Sequence, residues 1–188
     1  MKLQNIVFTL LCLLALFTFS CATKSVVDPN QTLGDIYNEV LDVAGHGDWF
    51  VVRGTHGPDN FISTVTNAPL SHAAIYDQEN NGVIEADSTG VHFTPLAEFL
   101  AKSQRLLIIR PIWGQDYGST AVERARSLIG SGYNYTGLVG VDVPNRYYCT
   151  QLVVEAYGPP HYPDNPIPPV IKPSQMYHWG RIIYDSGP

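Results

Sequence analysis

Cys149, His72 and Glu85 are the residues of this chain whose types combine into a reaction. A thiol attacks a carbonyl carbon, an imidazole takes and returns its proton, and a carboxylate orients the imidazole and supports its charge. Cys149 lies in Arg146-Tyr147-Tyr148-Cys149-Thr150-Gln151-Leu152-Val153-Val154-Glu155-Ala156-Tyr157. Leu152, Val153, Ala156 and Tyr157 follow it at the spacing of one helical face. The thiol is therefore expected on the inward side of a helix, in its first turn. Unsatisfied N–H groups and the positive end of the helix dipole lie there; they favour a thiolate and can receive an oxyanion. A buried, inert cysteine is the plainer alternative.

His72 is second in an apolar stretch, Ser71-His72-Ala73-Ala74-Ile75-Tyr76, and Glu85 stands between Ile84 and Ala86. A carboxylate in such a strand is costly to bury unless it is paired. A hairpin closed around residues 77–82, which contain Asn81-Gly82, sets His72 opposite residue 85 or 87 when the strands are in phase. His72 and Glu85 then project from one sheet face, whereas a slip of one residue would separate them. Asp87 shares that face and is the rival orienter.

The remaining polar and aromatic residues have ordinary readings. His46, His56, His92, His161 and His178 are expected in or near loops at the surface. Trp49, Trp113 and Trp179 read as packing residues, Asp48 as a turn or cap residue, and Arg146 as solvated. There is no CxxC, no paired-histidine metal spacing and no glycine-rich phosphate loop, so neither a metal nor a cofactor is expected.

The elements that must position these side chains read as a mixture of helices and antiparallel strands. Leu33, Ile36, Tyr37, Val40 and Leu41 predict a helix over 32–43, capped by Asn30 or Thr32. Strands follow at 48–53, 71–76, 83–87 and 91–94, with residues 54–69 as a loop. A short helix led by Pro95 runs to 101, a buried strand covers 105–111, and an amphipathic helix covers 119–128, capped by Ser119 or Thr120. The nucleophile helix ends near 157. Residues 158–173 hold seven of the fourteen prolines, which predicts an irregular wrap, either a plain connector or a wall of the substrate groove. A short helix over 173–179 and a strand over 181–184 complete the chain.

Residues 1–20 carry Lys2 and then a mostly apolar run ending in small residues, the pattern of an export signal. The run is shorter than a membrane span of about 20 apolar residues. Cys21 is a candidate for lipid modification after signal removal; ordinary cleavage near Ser20 or Ala22, or an uncleaved anchor helix, are the alternatives. Residues 21–30 then form a tether and residues 31–188 one domain, a size usual for a single core. With Cys21 modified or removed, Cys149 is an unpartnered thiol in an oxidising compartment, which favours a chemical role. Acidic residues outnumber basic ones, 17 to 11, which disfavours nucleic acid, and no basic run marks an anionic membrane surface.

Taken in order, Gly47-Asp48 with its apolar strand, Ser71-His72-x-x-Ile75-Tyr76, Ile84-Glu85-Ala86 and Tyr148-Cys149-Thr150-Gln151-Leu152-Val153 resemble the YiiX/YebB-like group. This group is a circularly permuted branch of the NlpC-type, papain-like cysteine peptidases. The resemblance covers roughly residues 47–157. It implies an α+β papain-like fold, an antiparallel sheet packed against the nucleophile helix, with Cys149 as nucleophile, His72 as base and Glu85 as third member. Gly130-Ser131-Gly132-Tyr133-Asn134-Tyr135 resembles the loop before the nucleophile, and Tyr133 would then reach the active site to position substrate or oxyanion. Unpermuted relatives commonly carry Asp before and Ser after the cysteine, where this chain has Tyr148 and Thr150.

The expected function is an exported thiol hydrolase of the cell envelope, cleaving an amide bond, with bacterial cell-wall stem peptides as the implied substrate. A lipid acyltransferase or thioesterase with the same thiol–imidazole core is the second expectation, and a non-catalytic envelope binding module the third. The only membrane contact expected is through an anchor on Cys21.

Overall fold

Strict alternation along the strands splits the core into two layers. The computed structural model describes residues 31–54, 70–113, 115–158 and 167–187. Strand β1 (Trp49–Gly54) lies centrally, followed by β2 (His72–Asp77), β3 (Gly82–Asp87), β4 (Gly90–Pro95), β5 (Ser103–Pro111) and β8 (Gly180–Asp185). They form one sheet in the order β4-β3-β2-β1-β5-β8, with antiparallel neighbours throughout. The first four make the expected meander. Asn81 takes a positive φ of 51° in the hairpin between β2 and β3, which an asparagine tolerates.

Trp49, Val51, Ala73, Ile75, Ile84 and Ala86 enter one apolar cluster; the intervening Phe50, Val52, Ala74, Tyr76 and Val83 enter the other. The first layer is covered by helices α3 (Gly118–Ser127) and α4 (Cys149–Ala156) and by a 3-10 segment, Pro173–Trp179. The second is covered by α1 (Leu33–Val43) and α2 (Leu96–Ala101). Both faces are therefore buried, which is why β2 reads as almost continuously apolar instead of alternating with polar residues.

Most boundaries fall within a residue or two of those expected from sequence. Thr32 caps α1 in a capping box: its hydroxyl accepts from Asp35 N at 3.2 Å, and Asp35 accepts from Thr32 N at 2.9 Å. One start differs. Helix α3 opens at Gly118, after a 3-10 turn over Gln115–Tyr117, and neither Ser119 nor Thr120 caps it. Gly118 lies so close to the turn between α1 and β1 that a Cβ would come within 2.1 Å of the His46 carbonyl oxygen. That backbone approach, rather than a side-chain cap, sets where the helix begins.

Two short parallel strands, β6 (Gly132–Tyr133) and β7 (Arg146–Tyr147), were not anticipated. They bracket a 3-10 turn at Thr136–Val139 and lead into α4. No helix among the described residues is long and apolar enough to cross a membrane. The export signal, Cys21 and the tether lie outside the described residues, as do most of the loop expected at 54–69 and residues 159–166 of the proline-rich stretch.

Candidate active site

Cys149 is the first residue of α4 and His72 the first of β2. Leu152, Val153 and Ala156 are fully buried behind the cysteine, so the apolar stripe anchors the helix and carries its start to the end of the sheet. Cys149, His72 and Glu85 are only 2%, 6% and 7% exposed, so their polar groups must satisfy one another.

They do. The β2–β3 register pairs Ala74 with Glu85, which leaves His72 and Glu85 in phase on one face. His72 Nε2 lies 2.6 Å from Glu85 Oε2. A hydrogen bond with Cys149 engages the ring as well. With Nε2 on Glu85, Nδ1 is the nitrogen left for the thiol. Burial works against a charge on His72, yet the hydrogen bonds with Cys149 and Glu85 and the attraction of Glu85 raise its pKa well above the ordinary value of 6.5. Glu85 shows the converse. Burial opposes its charge, but hydrogen bonds from His72, His92 and Thr94 hold the carboxyl far below the usual range.

Asp87, the rival orienter, is turned away. It accepts from Thr89 N at 2.8 Å and Thr89 Oγ1 at 2.6 Å. His92 is not a loop residue as expected. It stands in β4 directly across from Glu85, half-buried, with Nε2 3.5 Å from Glu85 Oε1. Thr94, buried on the same strand, donates to that oxygen at 2.5 Å. Neither partner of Glu85 was singled out from the sequence. The signal was available: carrying the hairpin register one strand further places 92 and 94 on the face of 85.

Tyr133 sits in β6 within the buried cluster that contains Tyr148, next to Cys149 in the chain, and Ala73 and Ala86, which alternation turns to the sheet face opposite His72 and Glu85. Its ring meets Tyr135 edge-on, centroids 4.8 Å apart. Asn134, fully buried, accepts from Gly137 N at 2.9 Å and donates to Gln151 Oε1 at 3.2 Å. Gln151 also accepts from Tyr148 N at 3.4 Å. The loop before the nucleophile is thus tied to the first turn of α4 through two amide side chains that the sequence reading passed over.

Tyr148 and Thr150, the two departures beside the cysteine, share one partner. Thr150 Oγ1 donates to the Ile171 carbonyl at 2.6 Å, and Tyr148 Oη accepts from Ile171 N at 3.3 Å. The end of the proline-rich stretch is thereby pinned to the nucleophile turn from both sides of Cys149.

Asp48 accepts from Gly45 N, as a cap residue should, and also forms a buried pair with Arg110 at 2.8 Å. Arg146 is exposed and donates to the Tyr133 carbonyl at 3.3 Å. Trp49 and Trp179 are core residues and Trp113 packs against them. Among the described residues, one group sets three possible metal-ligand atoms within 4.8 Å of one another: His46, Asp77 and Glu79. Arg126 already bonds both carboxylates, and His46 Nδ1 accepts from Gln78 N at 3.1 Å. The group lies at the far end of β2, about 17 Å from His72 at strand rise.

This thiol-on-helix, imidazole-on-strand arrangement, with the strands preceding the helix in sequence, is that of a permuted papain-like fold. The chain belongs to the family of permuted papain-like amidases, YaeF/YiiX, C92, whose profile matches residues 45–166. A crystal structure of the metalloprotein YiiX from Escherichia coli O157:H7 is similar, with a TM-score of 0.49 and 21% identity over 60% of this chain and 63% of that one. The chain thus spans less than two thirds of that relative. No curated protein matches.

Proposed function

We propose that this protein is an exported cysteine amidase that works through a thioester on Cys149, with peptide amides of the bacterial cell wall as substrate. The observation that carries the reading is the buried His72–Glu85 pair at 2.6 Å, with Cys149 hydrogen-bonded to the same ring. His72 takes the thiol proton as sulfur bonds to the carbonyl carbon. The first-turn N–H groups of α4 and Tyr133 stabilise or position the oxyanion. The C–N bond then breaks and His72 protonates the leaving amine. Water, deprotonated by His72, hydrolyses the thioester, releasing a carboxylic acid and the free thiol. Glu85 holds the ring and offsets its charge throughout. Cys21 carries a lipid anchor and places the enzyme in the envelope.

The test is the mass of purified muropeptides after incubation with the full chain. Cleavage lost in Cys149→Ala, with melting behaviour retained, supports the mechanism; turnover by that variant rules it out. Acyl mass on Cys21, or its absence, decides the anchor.

One observation favours a second reading. Tyr135, Leu138, Val139 and Val141 are exposed on the loop before the nucleophile, and Gly137 of that loop lies against Tyr148. An apolar approach to Cys149 suits an acyl chain, as in a lipid acyltransferase or thioesterase. Release of fatty acid from acyl amides or thioesters, with muropeptides untouched, would select it.

A further inference from the structure

His92 has acceptors on both sides of its ring, which an imidazolium matches better than a neutral ring. Its Nε2 is 3.5 Å from Glu85 Oε1. Its Nδ1 is 3.1 Å from the Gly90 carbonyl oxygen, 3.5 Å from Thr89 Oγ1 and 3.7 Å from Asp87 Oδ1. All four neighbours act as acceptors. The carbonyl and the carboxylates have no proton to give, and Thr89 already donates its own to Asp87 at 2.6 Å. A neutral imidazole has one N–H and one lone pair, so either tautomer turns a lone pair toward acceptors on one side. An imidazolium donates on both sides. The side chain is 34% exposed, so protons reach it from solvent.

We propose that His92 is a positioning residue for the amide hydrolysis: as an imidazolium it grips Glu85 Oε1 beside Thr94, leaving Oε2 to His72, and its deprotonation loosens that grip. The inference rests on the reading of His72 as base and Glu85 as its orienter. The charged groups facing the ring are Glu85 and Asp87 on β3; His72 on β2 and Lys102 after α2 act on Glu85 in turn, and β7, which carries Arg146, packs against β4. Lys102 is bound to Glu98 at 2.5 Å, and Arg146 donates to the Tyr133 carbonyl. The bond with Glu85, opposed by burial and assisted by Gly90 and Asp87, raises the His92 pKa above the ordinary value. The imidazolium is therefore complete at acid pH and is lost as pH rises through that raised value.

The consequence is an ionisation in the reactivity of Cys149 that belongs to neither Cys149 nor His72. The test compares full-length wild type, His92→Gln and His72→Ala. Iodoacetamide alkylation of Cys149 is followed against pH, and the wild-type histidine rings are titrated by NMR. Glutamine keeps a donor toward Glu85 but does not titrate. We expect an inflection in wild-type alkylation at the pH where the His92 ring titrates, and its loss in His92→Gln. A His92→Gln profile that superimposes on wild type overturns the inference. A His72→Ala profile that superimposes on wild type overturns the underlying reading of the site instead. If His92→Gln does not fold, the ring titration decides: His92 titrating with no response at the His72 resonances overturns the inference.

Discussion

At the scale of single residues, Glu85 spends both oxygens on fixing other groups: Oε2 on His72, Oε1 on Thr94 and His92. Replacing it by glutamine keeps the shape but turns one acceptor into a donor and removes the charge. The His72 ring then loses its reason to hold a proton on Nε2. Hydrolysis by Glu85→Gln should fall by roughly 10²–10⁴-fold, the range for losing correctly organised acid–base catalysis. The variant should also change the pH dependence of stability. The depressed pKa of Glu85 adds stability that is present above about pH 4.3 and is lost as pH falls toward the depressed value. The raised pKa of His72 adds stability that is full below about pH 6.5 and is lost as pH rises through the raised value. Melting temperatures across this range should therefore separate wild type from Glu85→Gln most between about pH 4.3 and 6.5. Parallel curves would show that Glu85 contributes no linked charge.

At the scale of elements, α4 depends on more than its apolar stripe. Thr150 and Tyr148 bind opposite sides of the Ile171 peptide unit, and so hold the segment that leads to Pro173–Trp179 against the nucleophile turn. Thr150→Val preserves volume but leaves a buried carbonyl without its donor. It should cost about 1–3 kcal/mol in urea unfolding. Hydrogen exchange should quicken at the described amides of 167–175 before it does in the sheet. Unchanged exchange there would mean that the segment is held by packing alone. Both side chains beside the cysteine are thus committed to the Ile171 peptide unit.

At the scale of the whole molecule, two charged pairs brace the sheet away from the site. Arg110 meets Asp48, and Arg126 meets Asp77 at the end of β2 opposite His72. Asp77 is buried, so Arg126→Ala leaves its carboxylate with Asn80 as its remaining side-chain partner. A loss of about 1.5–3 kcal/mol is expected, the worth of hydrogen bonds to a charged group. Turnover per folded molecule should stay near wild type, because the proposed catalytic groups sit at the other end of the strand. A fall in turnover without a fall in stability would show coupling along β2.

Much of this site was legible before any coordinates. The helical spacing behind Cys149 and the alternation around His72 and Glu85 are local patterns, and the observed pairing of Asp77 with Gly82 supplied the in-phase register they required. Those features determine which residue types stand on which face, because side-chain direction follows from a repeat of 3.6 or 2. Tertiary structure alone decided the rest. His92 and Thr94 reach Glu85 only through the pairing of a third strand, and Tyr148 and Thr150 find Ile171 only across a chain reversal of some twenty residues. Such contacts depend on the register and packing of distant segments, for which local propensity carries no information. The sequence by itself singled out Cys149, His72 and Glu85 as candidates; the tertiary structure decided what holds the Glu85 carboxylate.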